Sequence, residues 1–273
     1  MKSHSIAYMA GLIDTDGTIG IYYKKDSGYQ SSLEFYNDSQ QLMKWVVEHF
    51  GGTYKPKKDP RRGTLGYRWS PQGRLHLCRF LDEIMPYLVF KKSEASILRQ
   101  FLSLSGECPD YRKYLTDTCK FIKGKRSIVE TDTLRSFSNL KPNLKQAYIA
   151  GLIDGDGNID CYDYSPYVVI AITNMCKAFF DVLVGSYGGN YYKCKPTTYR
   201  WQLSGAFRQE NFLLKILPYL VFKQDKAKNA LNLVRERIKV ASTQKFGRPL
   251  DKLMIQPELI GDYESEPMGT LVS

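Results

Sequence analysis

The stretch AYMAGLIDTDGTI occupies residues 7–19, and a close copy, AYIAGLIDGDGNI, occupies residues 147–159. Three further pairs of segments follow in the same order: HFGGTYK and SYGGNYYK, GYRWS and TYRWQ, and IMPYLVFKKSEA and ILPYLVFKQDKA. The offset between the copies shrinks along the chain, so the second copy is shortened between these landmarks, where loops tolerate deletion. Ordered internal matches of this kind predict two duplicated halves with one architecture.

Composition and charge limit the class of protein. The 273 residues are 43% hydrophobic and 13% aromatic, which is typical of a globular protein. No apolar run approaches the roughly 18 residues of a membrane span, and the first residues show no signal-peptide cleavage site, so we expect neither membrane contact nor secretion. The 39 Lys and Arg residues against 28 Asp and Glu give a net charge of +11, the sign expected of a surface that binds phosphates.

The six cysteines are scattered along the chain. They form no C-x-x-C pair and have only three histidines to help them, so neither a zinc site nor a disulfide framework is indicated. A reducing, intracellular compartment fits this pattern best. The host stays open, because organelle, bacterial, archaeal and phage origins all fit.

Each copy shows the pattern of a helix, two strands, a helix, two strands and one or two further helices. In the first copy, helices are predicted at residues 5–14, with a serine cap and an Asp-Gly end, and at 40–50; strands are predicted at 18–24, 31–37, 52–57 and 64–70. We therefore predict an N-terminal domain at 1–122, a linker at 123–143, a C-terminal domain at 144–241 and a tail of unassigned role at 242–273.

The D-x-D-G sequence at the end of each first helix has three readings. A simple turn is the ordinary one, but carboxylates at a helix C-terminus face the negative end of the macrodipole, and a bound cation would relieve that repulsion. An EF-hand calcium loop fails, because aligning its glycine with Gly17 puts Leu12 and Tyr23 at positions that need acids. Carboxylate and carbonyl oxygens remain suited to magnesium.

Small residues on each first helix predict a close helix pair. Such residues let another backbone approach, and if the two first helices pack together, a pseudo-twofold axis runs between them. The domain-interface residues predicted in this way are Ala7, Ala10, Gly11, Ala147, Ala150 and Gly151. Asp16 and Asp156 would then lie side by side, as a two-metal displacement at phosphodiesters requires.

Two segments, MAGLIDTDG at residues 9–17 and IAGLIDGDG at residues 149–157, resemble the signature of the LAGLIDADG homing endonucleases, from which each differs at the first and seventh positions. The resemblance covers about residues 5–240. It implies a mixed α/β (α+β) fold of two pseudo-symmetric αββαββα halves, whose antiparallel sheets form a saddle on the DNA major groove. It also implies a monomer, with no obligate protein partner, that cuts both strands of a long duplex site with Mg²⁺ and leaves 3′ overhangs. Mn²⁺ would substitute, and Ca²⁺ would support binding without cleavage.

Site residues follow from the resemblance by motif position. Asp16 and Asp156 would bind metal and carry catalysis, aided by the main-chain carbonyls of Thr15 and Gly155. Lys91 and Lys223 would supply charge or tune water near the scissile phosphate. Ser39 and Cys176 align best with a residue that organises water, with Asn37 and Asn174 nearby. Asp14 and Asp154 are expected to end the helices rather than bind metal.

Strand alternation predicts the DNA-binding face. Successive side chains of a strand point to opposite faces of its sheet. If Trp69 and Trp201 face the core, Arg68 and Arg200 therefore face outward. Arg, Lys and Tyr side chains on such a face can reach phosphates or base edges. The outward residues predicted are Tyr22, Lys24, Tyr36, Tyr54, Lys58, Arg68, Tyr162, Tyr164, Tyr191, Lys193, Lys195 and Arg200.

The rival class is a binding protein on the same fold, either an intron RNA maturase or a regulator that binds DNA without cutting it. Two retained carboxylates disfavour this class, since they repel phosphates and serve no purpose in pure binding. The first hypothesis is therefore a sequence-specific DNA endonuclease, encoded in an intron or free-standing.

Overall fold

The computed structural model describes residues 2–58, 63, 65–105, 108–125, 129–162 and 165–246. The chain forms a compact unit at Met1–Ile238 and a second unit at Lys239–Ser273. Both copies of the repeat lie in the first unit, and the predicted tail beyond residue 246 lies outside the described residues. No helix in these ranges is long and apolar enough to cross a membrane. The predicted domain boundaries stay predictions.

The two halves have the same order of elements, which confirms the predicted αββαββα pattern. The first half contains α1 (Ser3–Asp16), β1 (Gly17–Lys24), β2 (Gly28–Asn37), α2 (Gln40–Phe50), β3 (Thr53–Lys58), β4 (Leu65–Ser70), α3 (Gly73–Ile84) and α4 (Lys92–Ser103). Between the halves lie α5 (Pro109–Lys123) and α6 (Thr131–Ser138). The second half contains α7 (Pro142–Asp154), β5 (Asn158–Tyr162), β6 (Ser165–Asn174), α8 (Lys177–Tyr187), β7 (Asn190–Lys195), β8 (Thr198–Leu203), α9 (Ala206–Ile216), a 3-10 turn (Leu217–Tyr219) and α10 (Gln224–Phe246).

Each half contributes one four-stranded sheet. The strand orders are β1-β2-β4-β3 and β5-β6-β8-β7, and every neighbouring pair is antiparallel. Trp69 and Trp201 occupy corresponding core positions, where both are fully buried, and each indole N–H donates to a main-chain carbonyl at the end of the preceding helix, Gly51 or Gly188. The same core anchor in both sheets shows that the duplication preserved the packing as well as the topology.

The helices α1 and α7 pack directly against each other at two glycines. A Cβ added to Gly11 would collide with the backbone of Tyr148 and Leu152, and one added to Gly151 would collide with the backbone of Tyr8 and Leu12. Only a residue without a side chain allows backbones to approach this closely. The predicted alanines Ala7, Ala10, Ala147 and Ala150 are all fully buried in these two helices.

Two details of the first helix differ from the expectation. α1 begins at Ser3 rather than residue 5, and its N-cap, Lys2, makes no side-chain capping bond, so the predicted serine cap is wrong. Its end also lies beyond Asp14, because the helix continues to Asp16. The α2 prediction was accurate: Ser39 accepts a hydrogen bond from the Leu42 N–H, and Gly51 ends the helix.

The segment predicted as a linker contains a short helix, α6. Its Phe137 is buried and packs on Tyr148 and Phe179, at ring-centroid distances of 5.1 and 5.5 Å. In the first half, Trp45 takes the comparable place beside Tyr8, at 5.0 Å. The connection between the halves is thus part of the hydrophobic core.

Candidate active site

Asp16 and Asp156 lie together where α1 and α7 end. Asp16 is the last residue of α1 and is half-buried, whereas Asp156 lies in the turn after α7 and is exposed. A Cβ added to Gly155 would collide with the Thr15 side chain and would lie 3.5 Å from Asp16 Oδ2. The two motif ends are therefore in direct contact, as the helix pair predicts.

Burial and a like charge act together on Asp16. Burial first, and the neighbouring carboxylate of Asp156 second, raise the pKa of Asp16 to about 7. The Asn37 amide opposes this by donating to Asp16 Oδ2 at 3.1 Å. A carboxylate that is costly to ionise beside a second one favours a divalent cation, which would remove the repulsion.

Asp14 and Asp154 are buried and have another task. Asp14 accepts main-chain N–H bonds from Val89 and Lys91, at 2.7 and 2.8 Å. Asp154 accepts N–H bonds from Val221, Phe222 and Lys223 at 2.7–3.0 Å. Each carboxylate thus holds the PYLVFK segment of its own half against the motif helix, and hydrogen bonds occupy its oxygens.

Tyr8 and Tyr148 join the two halves and were missed as functional residues. The Tyr8 hydroxyl donates to Asp154 at 2.7 Å, and the Tyr148 hydroxyl donates to Asp14 at the same distance. Burial, followed by the charge of the bonded aspartate, raises the pKa of both phenols, so each remains a donor. The signal was in the sequence, because the tyrosine precedes each motif at the same spacing.

Lys91 and Lys223 cap the C-terminal ends of the motif helices. The Lys91 Nζ donates to the carbonyls of Ile13, Thr15 and Gly17 at 2.7–3.0 Å. The Lys223 Nζ donates to the corresponding carbonyls of the second motif, residues 153, 155 and 157, at 2.6–3.0 Å. These ammonium groups neutralise the negative helix ends next to Asp16 and Asp156.

The same two lysines also donate hydrogen bonds to the carbonyls predicted as metal ligands. The carbonyls of Thr15 and Gly155 each accept one lysine bond, and a carbonyl oxygen has a second lone pair. Burial lowers the pKa of the Lys223 ammonium, whereas the nearby carboxylates, Asp154 first, act in the opposite sense. Within the described residues no three His, Cys, Asp or Glu side chains gather into a metal site, so carbonyl, water or phosphate oxygens must complete any coordination.

Of the predicted water-organising residues, Ser39 and Cys176 lie at helix N-termini, whereas Asn37 contacts the site. Ser39 caps α2, and its neighbour Asn37 is the residue that contacts Asp16. In the second half Cys176 is the N-cap residue of α8, where burial raises its pKa, and its N–H donates to Asn174 Oδ1 at 2.9 Å. A cavity of about 370 Å³ lies beside Asn174 and Asp156 and is lined by residues of both halves.

Strand pairing decides which side chains face away from the core. Residues opposite each other in a pair share a face, so Tyr36 and Arg68 lie on the outward face of the first sheet. Four more predicted residues lie on the outward face: Tyr22, Lys24, Lys195 and Arg200. The side chain of Tyr162 lies outside the described part of the structure. Tyr164 lies outside the described residues.

Four predicted outward positions are wrong. Tyr54 pairs with the buried Trp69 and Tyr191 pairs with the buried Trp201, so both lie on the core face. Lys58 and Lys193 follow the same parity, opposite Leu65 and Tyr199. The outward residues missed on these strands are Lys55, Lys57 and Tyr192, all exposed.

The architecture now defines a class. A duplicated α/β fold joins its halves through two motif helices, places one carboxylate from each motif at their base, and presents two sheets with Arg, Lys and Tyr on the outward face. That is the two-motif, single-chain fold of the LAGLIDADG family that the sequence resembles.

Solved structures agree with this class. The I-GzeII LAGLIDADG homing endonuclease in complex with its DNA target has a TM-score of 0.62 at 12% identity, over 89% of this chain and 92% of that one. I-LtrWI bound to target DNA gives 0.59 at 17% identity, over 87% and 91%. I-SmaMI bound to uncleaved DNA with calcium ions gives 0.57 at 15% identity, over 89% and 93%. No protein-family model and no curated protein matches the sequence. The chain therefore has the fold of the LAGLIDADG homing endonucleases.

Proposed function

We propose that the protein is a sequence-specific endonuclease that makes a double-strand break in a long, asymmetric duplex DNA site. The observation that carries the proposal is the meeting of Asp16 and Asp156 at the base of the α1–α7 pair. Main-chain N–H groups occupy the oxygens of Asp14 and Asp154, whereas Asp156 lines the cavity and Asp16 accepts one bond from the Asn37 amide. The DNA-bound solved structures of the same fold support the proposal.

The two sheet faces support duplex DNA as the substrate. Arg68 and Arg200 occupy matching outward positions in β4 and β8, and lysines lie along the neighbouring strands. The residues around these two arginines differ between the halves. Arg68 forms a salt bridge with Glu34 at 3.3 Å, whereas Arg200 lies opposite Thr173 on the neighbouring strand. Because base readout depends on the side chains presented, two unlike faces imply an asymmetric target.

Magnesium is the proposed cofactor, with Mn²⁺ as a substitute and Ca²⁺ as a cation that supports binding alone. The carboxylates of Asp16 and Asp156 would hold it, together with the Thr15 and Gly155 carbonyls. All are hard oxygen donors, as this ion prefers. When bound, such a cation activates water and stabilises charge on the leaving oxygen. Asn37 would orient Asp16, and Lys91 and Lys223 would hold the helix ends in place.

The remaining features complete the proposal. Both motifs lie in one chain, so the protein would act as a monomer, and the product ends would be 3′ overhangs. None of the six cysteines, all of which lie within the described residues, is paired in a disulfide, and we propose a reducing compartment inside a cell on that basis.

A cleavage selection tests the proposal. Purified protein is incubated with a pool of randomised duplexes and Mg²⁺, and the cut products are sequenced to obtain the site and the overhang. Asp16→Asn and Asp156→Asn should each abolish paired-strand cleavage of that site, a loss of at least about 10³-fold, while binding in Ca²⁺ is retained. Glu83→Gln, which removes an exposed acid from α3, should cleave normally.

Two outcomes would count against the proposal. Full cleavage by either aspartate variant would remove that residue from the site. Binding without any cutting by the unaltered protein would favour the rival class, a maturase or regulator.

A further inference from the structure

Helix α5 lies outside the duplicated pattern and packs on the edge strand β1 and on α4. Its last turn contains Lys120 and Lys123, and Lys125 follows after the C-cap residue Gly124. The exposed ring of Phe121 lies beneath the Lys125 ammonium, with Nζ 4.3 Å from the ring centroid. A basic and aromatic cluster thus lies at the edge of the first sheet.

Lys123 extends from this cluster over the outward face of β1. Gly20 lies between the core residues Ile19 and Ile21, so any side chain at Gly20 would point outward. A Cβ added there would lie 2.5 Å from Lys123 Nζ and 3.6 Å from Cε. The absent side chain therefore leaves room for the lysine on the face that carries Tyr22 and Lys24.

The position of Lys123 is not explained by the helix end alone. Basic residues in a last helical turn offset the macrodipole, and Lys120, paired with Asp117 at 3.9 Å, already supplies one. Within the described residues no hydrogen bond or ion pair involves the Lys123 ammonium, so its charge is available on the outward face.

Gly20, over which the Lys123 ammonium lies, is close to Asp16 on the scale of DNA. Gly20 lies four residues along the chain from Asp16, which corresponds to about 13 Å at the rise of a strand. Successive phosphates of one DNA strand are about 3.4 Å apart along the helix axis. A charge at Lys123 is therefore within about four nucleotides of a bond cut beside Asp16.

We propose that α5 is part of the nucleic-acid interface and that Lys123 contacts a DNA phosphate close to the scissile bond. The contact rests on the proposed endonuclease function and deepens it. It provides affinity and register, not base readout, because a phosphate carries no sequence information.

The test is binding of the selected duplex in Ca²⁺ by the Lys123→Gln variant, titrated from low to high salt. We expect affinity to fall about 3- to 10-fold and the slope of log K against log salt to decrease by about 1, with unchanged base preference in a repeated selection. Lys113→Gln, the same charge change at an exposed position in α5, should leave affinity and slope near those of the unaltered protein. Lys123→Arg should bind normally.

Two results would overturn the inference. If Lys123→Gln matches the Lys113→Gln control in affinity and slope, α5 does not contact DNA, although the endonuclease function stands. If the unaltered protein binds no duplex, both the inference and the proposed function fail.

Discussion

The two motif ends differ in structure although their sequences are nearly identical. α1 continues through Thr15 to Asp16, whereas α7 stops at Asp154 and leaves Asp156 in a turn. The Thr15 hydroxyl donates a hydrogen bond shared between the Gly11 and Leu12 carbonyls, and Gly155 has no side chain to make this contact. The space that a Cβ would need at Gly155 is occupied by Thr15. The exchange of threonine for glycine at the seventh motif position thus makes the two ends complementary rather than equivalent.

The helix contact is where the halves should behave alike. Gly11→Val and Gly151→Val each drive a side chain into the opposite backbone, so each should lower the free energy of unfolding by about 3 kcal/mol or prevent folding. Chemical denaturation measures this. Gly185→Ala is the control, since no atom lies within 4 Å of its added Cβ, and it should stabilise α8 by about 0.5–1 kcal/mol. Tolerance of either valine would refute the close helix pair.

The motif ends are where the halves should behave differently. Gly155→Ala should lower the cleavage rate about 100-fold, because the new methyl group collides with Thr15 and displaces Asp16. Adding Thr15→Gly should recover most of the rate, as a double-mutant cycle of the three variants would show. If the double variant is no faster than Gly155→Ala alone, contact between these residues does not set the site.

The crossed tyrosines offer a smaller and symmetric test. Tyr8→Phe and Tyr148→Phe each remove a 2.7 Å bond to a buried carboxylate of the other half, so each should cost about 1–2 kcal/mol of unfolding free energy. The costs should be equal, because main-chain N–H groups continue to support both aspartates. Tyr114→Phe, at an exposed position in α5, should have no effect. A large cost in only one variant would show that the halves are joined unequally.

The repeat made much of this structure predictable. The repeated segments predicted the order of the elements. The small residues on the two motif helices predicted that α1 and α7 pack against each other. The errors have a physical origin. β3, TYKPKK, has no aliphatic residue to fix which face turns inward, so its phase is set by pairing with β4. In β7 an irregularity between Lys193 and Lys195 resets the parity. Helix α6 is polar apart from two apolar residues, and its burial depends on the pocket beside Tyr148.

The last prediction concerns the pH dependence of stability without metal, which depends on Asp16. The pKa of Asp16 is about 7 in the folded protein, against about 4 for an ordinary aspartate. Between these values the folded state holds a proton that the unfolded state has lost, so the free energy of unfolding decreases as pH rises through the window. Asp16→Asn removes this proton linkage. In EDTA its melting temperature should therefore exceed that of the unaltered protein at pH 8, and the difference should shrink towards pH 4. Asp156→Asn should reduce the pH dependence only in part, because it removes the charge repulsion and leaves burial, the larger cause. If the melting temperatures of Asp16→Asn and the unaltered protein differ by a constant amount from pH 4 to 8, Asp16 is ionised throughout this range. The carboxylates of Asp16 and Asp156 would then not be coupled.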